Sequence, residues 1–134
     1  MITRDISQIL RDAGLRPTRQ RVALGQRLFK GEDRHVTAEK LHAEVVSQGE
    51  RVSLATVYNT LHQFQEAGLL RELAIDGAKA YFDTNTSNHS HYFIEHNGEL
   101  MDIPSESIKV DGLPQPPHGL EISHIDVVVR LKKS

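Results

Sequence analysis

An α+β fold is predicted by three features of this 134-residue sequence. Apolar residues recur with a helical period in four stretches up to Gly68, each followed by a glycine. Two alternating runs then flank Asp76-Gly77, and beyond a polar tract at 84–88 the pattern is that of strands. Periods near 3.6 and 2 are the sequence signatures of a half-buried helix and a half-buried strand, so helices first and strands afterwards is the expected order.

The first stripe is Ile6, Ile9, Leu10 and Ala13, stopping at Gly14, where a left-handed backbone ends a helix without penalty. Pro17-Thr18 restarts the chain, and Val22, Leu24, Leu28 and Phe29 form a second stripe ending near Gly31. Thr37 reads as a cap ahead of Ala38-Glu39-Lys40, with Leu41, Val45 and Val46 as the third stripe before Gly49. Ser53 caps a fourth helix whose inner face carries Val57, Leu61 and Phe64, closed by Gly68. Leu69 to Ile75 and Ala80 to Asp83 alternate around Asp76-Gly77, a hairpin signal. Helices followed by a hairpin are the order of a winged helix-turn-helix, assigned to residues 1–83.

Thr84 to Asn88 reads as a hinge. The remainder, 89–134, is expected to be a small α/β dimerisation domain. His91 to Glu95 and Leu100 to Ile103 should be strands around Asn97-Gly98, Ser105 to Val110 a short helix, and Leu120 to Leu131 a final strand after Pro114, Pro116 and Pro117. About 45 residues bury little core alone, so this half is expected to gain stability by pairing with a second copy.

Composition narrows the function classes. A hydrophobic share of 38% with 25% charge is that of a soluble globular chain. No run approaches the roughly 20 apolar residues of a membrane span. Asp5 and Asp12 interrupt the N-terminus, which does not read as a signal peptide. With no cysteine, disulfides, thiolate zinc and thiol chemistry are all excluded, and the bacterial cytoplasm is the expected setting. The net charge of −2 hides an asymmetry. Residues 1–30 carry Arg4, Arg11, Arg16, Arg19, Arg21, Arg27 and Lys30 against Asp5 and Asp12. Residues 84–134 carry Lys109, Arg130, Lys132 and Lys133 against Glu95, Glu99, Asp102, Glu106, Asp111, Glu121 and Asp126. A basic half beside an acidic one suits a chain that meets phosphate on one side, or a solvated charged face.

Ser53 to Leu61 has the make-up of a groove-reading helix. Small and hydroxyl residues at its start permit close approach, and Ser53, Thr56, Tyr58, Asn59 and Thr60 lie off the apolar face. Tyr58 suits a phosphate or a thymine methyl and Asn59 a base edge, while Arg19 and Arg21 stand where they could grip phosphate. The same composition also suits an amphipathic helix with a half-buried tyrosine, and composition alone does not separate the two.

Five of the eight histidines, His89, His91, His96, His118 and His124, follow residue 88. In an extended segment His89 and His91 project to one side, so they are either a convergent ligand pair or two exposed loop histidines. Asp83 and Asp102 lie close by in sequence. Imidazoles with carboxylates and no sulfur favour Fe(II), Mn(II) or Zn(II).

Gly14-Leu15-Arg16-Pro17-Thr18-Arg19-Gln20-Arg21, Ser53-Leu54-Ala55-Thr56-Val57-Tyr58-Asn59-Thr60-Leu61 and Glu66-Ala67-Gly68-Leu69 resemble the ferric uptake regulator family over nearly the whole chain. The resemblance implies a homodimer on a palindromic double-stranded operator, acting as repressor or activator, with Tyr58 near the DNA. It implies His35, Asp83, His89, His91 and Asp102 as regulatory metal ligands, with Asp83 where the family usually has Glu. Two departures stand out. Ile94-Glu95-His96-Asn97 occupies the place of a Cys-x-x-Cys motif, so a structural zinc on four thiolates has no ligands. A second metal site would keep His124 but has Ser90 and Lys109 at usual acidic positions.

The lost cysteines, His89-Ser90-His91-Tyr92-Phe93-Ile94-Glu95, Met101-Asp102-Ile103-Pro104 and Ile125 to Leu131 resemble the iron response regulator branch, which implies haem as a signal with His89 or His91 as axial ligand. Three function classes follow: an iron- or haem-responsive regulator, a peroxide-sensing Fe/Mn repressor using the same ligands, and a non-haem metalloenzyme. The enzyme reading finds no general base and gives the winged helix no task.

Overall fold

The computed structural model describes residues 5–76, 79–87 and 89–134. They divide into two compact units, the first ending at Thr86 and the second beginning at Ser87. Arg4, Gly77 and Asn88, used above for the basic cluster, the hairpin turn and the hinge, lie outside the described residues.

In the first unit α1 is Ile6–Asp12, α2 Arg19–Phe29, β1 His35–Val36, α3 Ala38–Ser47, α4 Leu54–Glu66, β2 Arg71–Asp76 and β3 Lys79–Asp83. The starts of α2, α3 and α4 are set by side-chain caps: Thr18, Thr37 and Ser53 accept the amide N–H of Arg21, Lys40 and Thr56. Each cap satisfies an amide that the helix cannot. Gly49 and Gly68, at φ of 92° and 82°, turn the chain out of α3 and α4 in the left-handed region that a side chain would strain.

The predicted stripes meet in one core, in which Ile6, Leu10, Leu24, Leu28, Leu41, Val45, Val57, Leu61 and Phe64 join Leu70, just ahead of β2, and Phe82 of β3. A Cβ at Gly25 would come within 2.8 Å of Ile6 Cγ2, so the missing side chain is what lets α1 lie on α2. Val46, placed in the third stripe, is 46% exposed. One residue past Val45 it has rotated about 100° off the core face.

The sheet order is β1-β3-β2, all antiparallel, with β2 and β3 forming the expected hairpin. The sequence pattern gave no sign of β1. Two residues cannot show alternation, and β1 exists because β3 offers it an edge, pairing His35 with Asp83 and Val36 with Phe82.

In the second unit β4 is Ser90–Ile94, β5 Glu99–Ile103 and β6 Val128–Leu131, in the order β5-β4-β6. β5 runs antiparallel to β4 and β6 parallel to it. Two expectations are corrected. The final strand begins at Val128 rather than Leu120, because five-residue β4 offers it only His91 to Ile94 as partners. The predicted helix from Ser105 to Val110 shrinks to a single 3-10 turn, Ser105–Ser107, whose three residues bury nothing. Phe93 and Ile103 are the buried hydrophobics among the described residues after Thr86, whereas Val110, Leu113, Leu120, Ile122 and Ile125 are exposed. No described helix is long and apolar enough to cross a membrane.

Candidate metal ligands and nucleic-acid face

The face of α4 turned from the core begins at its capping residue. Ser53 and Asn59 are exposed, with Leu54 and Ala55 between them, and Thr56 and Tyr58 are half-buried. Thr60, expected off the apolar face, is buried instead, its hydroxyl satisfied by the Thr56 carbonyl at 2.8 Å. Ser53 Oγ also donates to Thr56 Oγ1 over 3.0 Å, so Thr56 is held in the cap. The Tyr58 ring stacks on His62 at 6.0 Å between centroids, and His62 meets Phe82 edge-on at 5.6 Å. His62 is thereby a spacer that props Tyr58 against the core. His42 is a core-edge residue, its Nε2 2.8 Å from the Val52 carbonyl.

The two arginines of α2 differ. Arg19 is exposed and loosely paired to Glu50 at 3.5 Å. Arg21 is spoken for: its Nε and Nη2 donate to Gln63 Oε1 over 3.2 and 3.0 Å, and its Nη1 to the Arg16 carbonyl over 3.0 Å. That clasp fixes the start of α2 against the last turns of α4. Arg51 escaped the sequence reading, yet it shares with Arg19 a cleft of about 650 Å³ just ahead of the α4 cap.

Within the first unit the β1–β3 register brings His35 Nε2 to 3.1 Å from Asp83 Oδ2. Asp83 is 1% exposed and also accepts the Asn85 amide over 2.9 Å. A carboxylate so far from water requires such partners. Beside them, Arg34 makes a bidentate pair with Glu44 of α3, Nη1 to Oε1 at 2.9 Å and Nη2 to Oε2 at 2.7 Å. Arg27 adds longer contacts of 3.3 and 3.4 Å. The hydrogen bond from Arg34 holds the Glu44 carboxyl below the usual carboxylate range, against the opposing effect of burial.

Within the second unit the extended backbone of β4 puts the His89 and His91 rings on one side, with centroids 4.4 Å apart. The β4–β5 register sets Asp102 opposite His91. Asp102 Oδ1 then lies 3.0 Å from His89 Nε2 and 3.4 Å from His91 Nε2. His89 Nδ1 sits 2.7 Å from the Ser87 carbonyl, which can only accept, so Nδ1 is the donor there and Nε2 is the nitrogen turned to Asp102. Nε2 can meet Asp102 in one of two ways, by donating a proton to the carboxylate or by sharing a cation with it. Nitrogen and oxygen donors held at about 2.1 Å by one ion stand roughly 3 Å apart, so the trio fits a hard or borderline divalent metal.

His124 stands apart from the trio, its Nε2 3.3 Å from Asp126 and its Nδ1 2.7 Å from Ser123 Oγ. It rims a groove of about 360 Å³ shared with His89, Ser90, Ile122 and Val127. Among the described residues it joins no cluster of ligand atoms, and Lys109 is exposed.

Residues 12–130 match the pattern of the Ferric uptake regulator family. A ferric uptake regulation protein of Vibrio anguillarum is 35% identical over 106 residues, 78% of this chain and 71% of the relative. The corresponding protein of Pseudomonas aeruginosa is 38% identical over 101 residues, 75% of each chain. The solved ferric uptake regulator of Pseudomonas aeruginosa with manganese superposes with a TM-score of 0.71 at 31% identity, covering 96% of this chain and 97% of that one.

Proposed function

Since the chain belongs to the ferric uptake regulator family, a family of metal-responsive transcription regulators rather than enzymes, we propose that it is a homodimeric DNA-binding regulator of iron homeostasis whose operator affinity is set by a divalent metal on His35, Asp83, His89, His91 and Asp102. The observation that carries this reading is the aim of two imidazole nitrogens at one oxygen of Asp102. His35 and Asp83 form a second converging pair of the same donor types. The relative solved with manganese supports Mn(II) or Fe(II) over a softer ion, and the absence of cysteine leaves a thiolate zinc site no ligands.

The ion would supply fixed positive charge and a preferred coordination geometry for these nitrogen and oxygen donors. A ligand that favours one of two arrangements shifts their populations, which is the physical requirement for a switch. Arg19, Arg21, Ser53, Thr56, Tyr58 and Asn59 are proposed to face the operator, phosphate contacts giving affinity and Asn59 a base edge.

Haem is the second reading, because His89 rims a groove lined by Ile108, Ile122, Ile125 and Val127 and the chain offers imidazole as the ligand. One Nε2 lone pair cannot serve both ligands, so haem and metal should exclude each other.

The test is operator binding by metal-free protein, then with Mn(II), Fe(II) and haem in turn. Mn(II) should tighten binding at least tenfold in the wild type and not in His89→Ala/His91→Ala. Equal affinity with and without metal would overturn the reading. Displacement of Mn(II) by haem with loss of DNA would establish the haem branch. Loss on peroxide treatment of the Fe(II) form alone would establish the peroxide-sensing one.

A further inference from the structure

We infer that Glu44 and Arg34 are positioning residues that make the His35–Asp83 ligand pair and the helix-turn-helix move as one body. Five hydrogen bonds within the first unit carry this. The Arg34 guanidinium grips Glu44 with two separate N–H···O bonds of 2.9 and 2.7 Å, the fork-on-fork geometry that resists sliding as well as separation. The Arg34 backbone is pinned from the other side: its amide donates to Thr84 Oγ1 over 2.8 Å and its carbonyl accepts the Thr84 amide over 3.1 Å. Arg34 and Thr84 are the immediate neighbours of His35 and Asp83, so the clasp brackets both ligands. Arg34 Nη1 also donates to the Arg27 carbonyl over 3.1 Å, bringing in α2.

The consequence is mechanical. Glu44 lies in the middle of α3, the helix that precedes the turn into α4. A shift of His35 demanded by an ion cannot be absorbed at β1 without dragging Arg34 and, through it, α3. The Arg34 and Glu44 side chains are 24% and 19% exposed, which limits the water available to break the pair. A hydrophobic joint at this position would hold the helix but leave it free to slide along the strand.

The inference rests on the metal-dependent reading, and its test separates the two. Operator affinity is measured for full-length wild type, Glu44→Gln, Arg34→Lys and Arg27→Ala, metal-free and with saturating Mn(II), with Mn(II) affinity and thermal midpoint recorded alongside. For the wild type the ratio of the two operator affinities should be on the order of tenfold or more. Glu44→Gln and Arg34→Lys should bring that ratio to within about threefold of unity while metal-free affinity stays within about twofold. Arg27→Ala, which removes only the longer contacts, should retain the ratio. By reciprocity, DNA should tighten Mn(II) in the wild type and fail to do so in the first two variants.

If folded Glu44→Gln and Arg34→Lys keep the wild-type ratio, or lose affinity equally in both metal states, the pair is ordinary framework and the inference falls. Arg34→Lys retains the charge and one contact, so it reports even where Glu44→Gln folds poorly. A wild type indifferent to Mn(II) overturns the parent reading and this inference with it.

Discussion

His89 Nε2 and Asp102 Oδ1 lie 3.0 Å apart while the other nitrogen of the same ring sits 2.7 Å from the Ser87 carbonyl. The carbonyl contact fixes the ring orientation, so Nε2 is turned to the carboxylate before any ion arrives. Asp102→Asn keeps size and removes charge, and should weaken Mn(II) binding by about 10- to 100-fold with little change in thermal midpoint. Isothermal titration of the metal-free protein measures it. Unchanged affinity would remove Asp102 from the ligand set.

Arg21 presents a sharper question than a surface arginine would. Its guanidinium is already engaged by Gln63 and the Arg16 carbonyl. A clasp and a phosphate contact are separable by salt: each phosphate neutralised contributes about 0.9 to the slope of log K against log salt. Tyr58→Ala should lower operator affinity by about 1–3 kcal/mol. Arg21→Ala should lower affinity too, and a double cycle with Gln63→Leu shows how. Strong coupling at unchanged slope makes Arg21 a brace, whereas a slope reduced by about one makes it a contact.

What the sequence disclosed depended on range. The helices of the first unit were legible because Thr18, Thr37 and Ser53 act on amides three residues ahead, and stripes such as Leu24/Leu28 are one turn apart. His89 and His91 were legible as a pair because a period of two is all that an extended backbone requires. The pairing of His35 with Asp83 was not: they meet through a two-residue strand that no pattern marks, and only resemblance singled out His35, while Asp83 was noted merely for lying near the histidines in sequence. Arg21 and Gln63, 42 positions apart, carried no signal either. The late start of the last strand was hidden for another reason. Leu120 and Ile122 alternate like a strand, but in the parallel register the positions opposite them fall before β4 begins at Ser90.

Those residues also carry the prediction about assembly. Leu120 and Ile122 are 68% and 50% exposed, in a unit whose buried hydrophobics among the described residues are Phe93 and Ile103. Such a surface is expected to be covered by a second copy. Sedimentation at micromolar concentration should give a species of twice the 15.1 kDa chain mass, and Ile122→Asp should shift it towards monomer. A wild type that sediments only as monomer would sink the homodimer.

Glu44 gives the first unit a defined acid limb. Its carboxyl is held below the usual range chiefly by the hydrogen bond from Arg34, with the charges of Arg34 and Arg27 adding and burial opposing. A carboxylate whose folded pKa is depressed contributes stability that is fully present above its unfolded pKa and is lost as pH falls through the folded one. The loss therefore belongs below the ordinary glutamate range near 4.3, and neutral solution should show the pair intact. Glu44→Gln cannot take up that proton. It should cost about 1–3 kcal/mol at pH 7 and flatten the decline in stability between that pH and the acid limit, so that wild type and variant converge as the wild-type carboxyl protonates. Urea unfolding of both proteins from pH 7 downward tests this. Parallel curves, offset by a constant amount at every pH, would mean that the Glu44 charge does not stabilise the fold through Arg34.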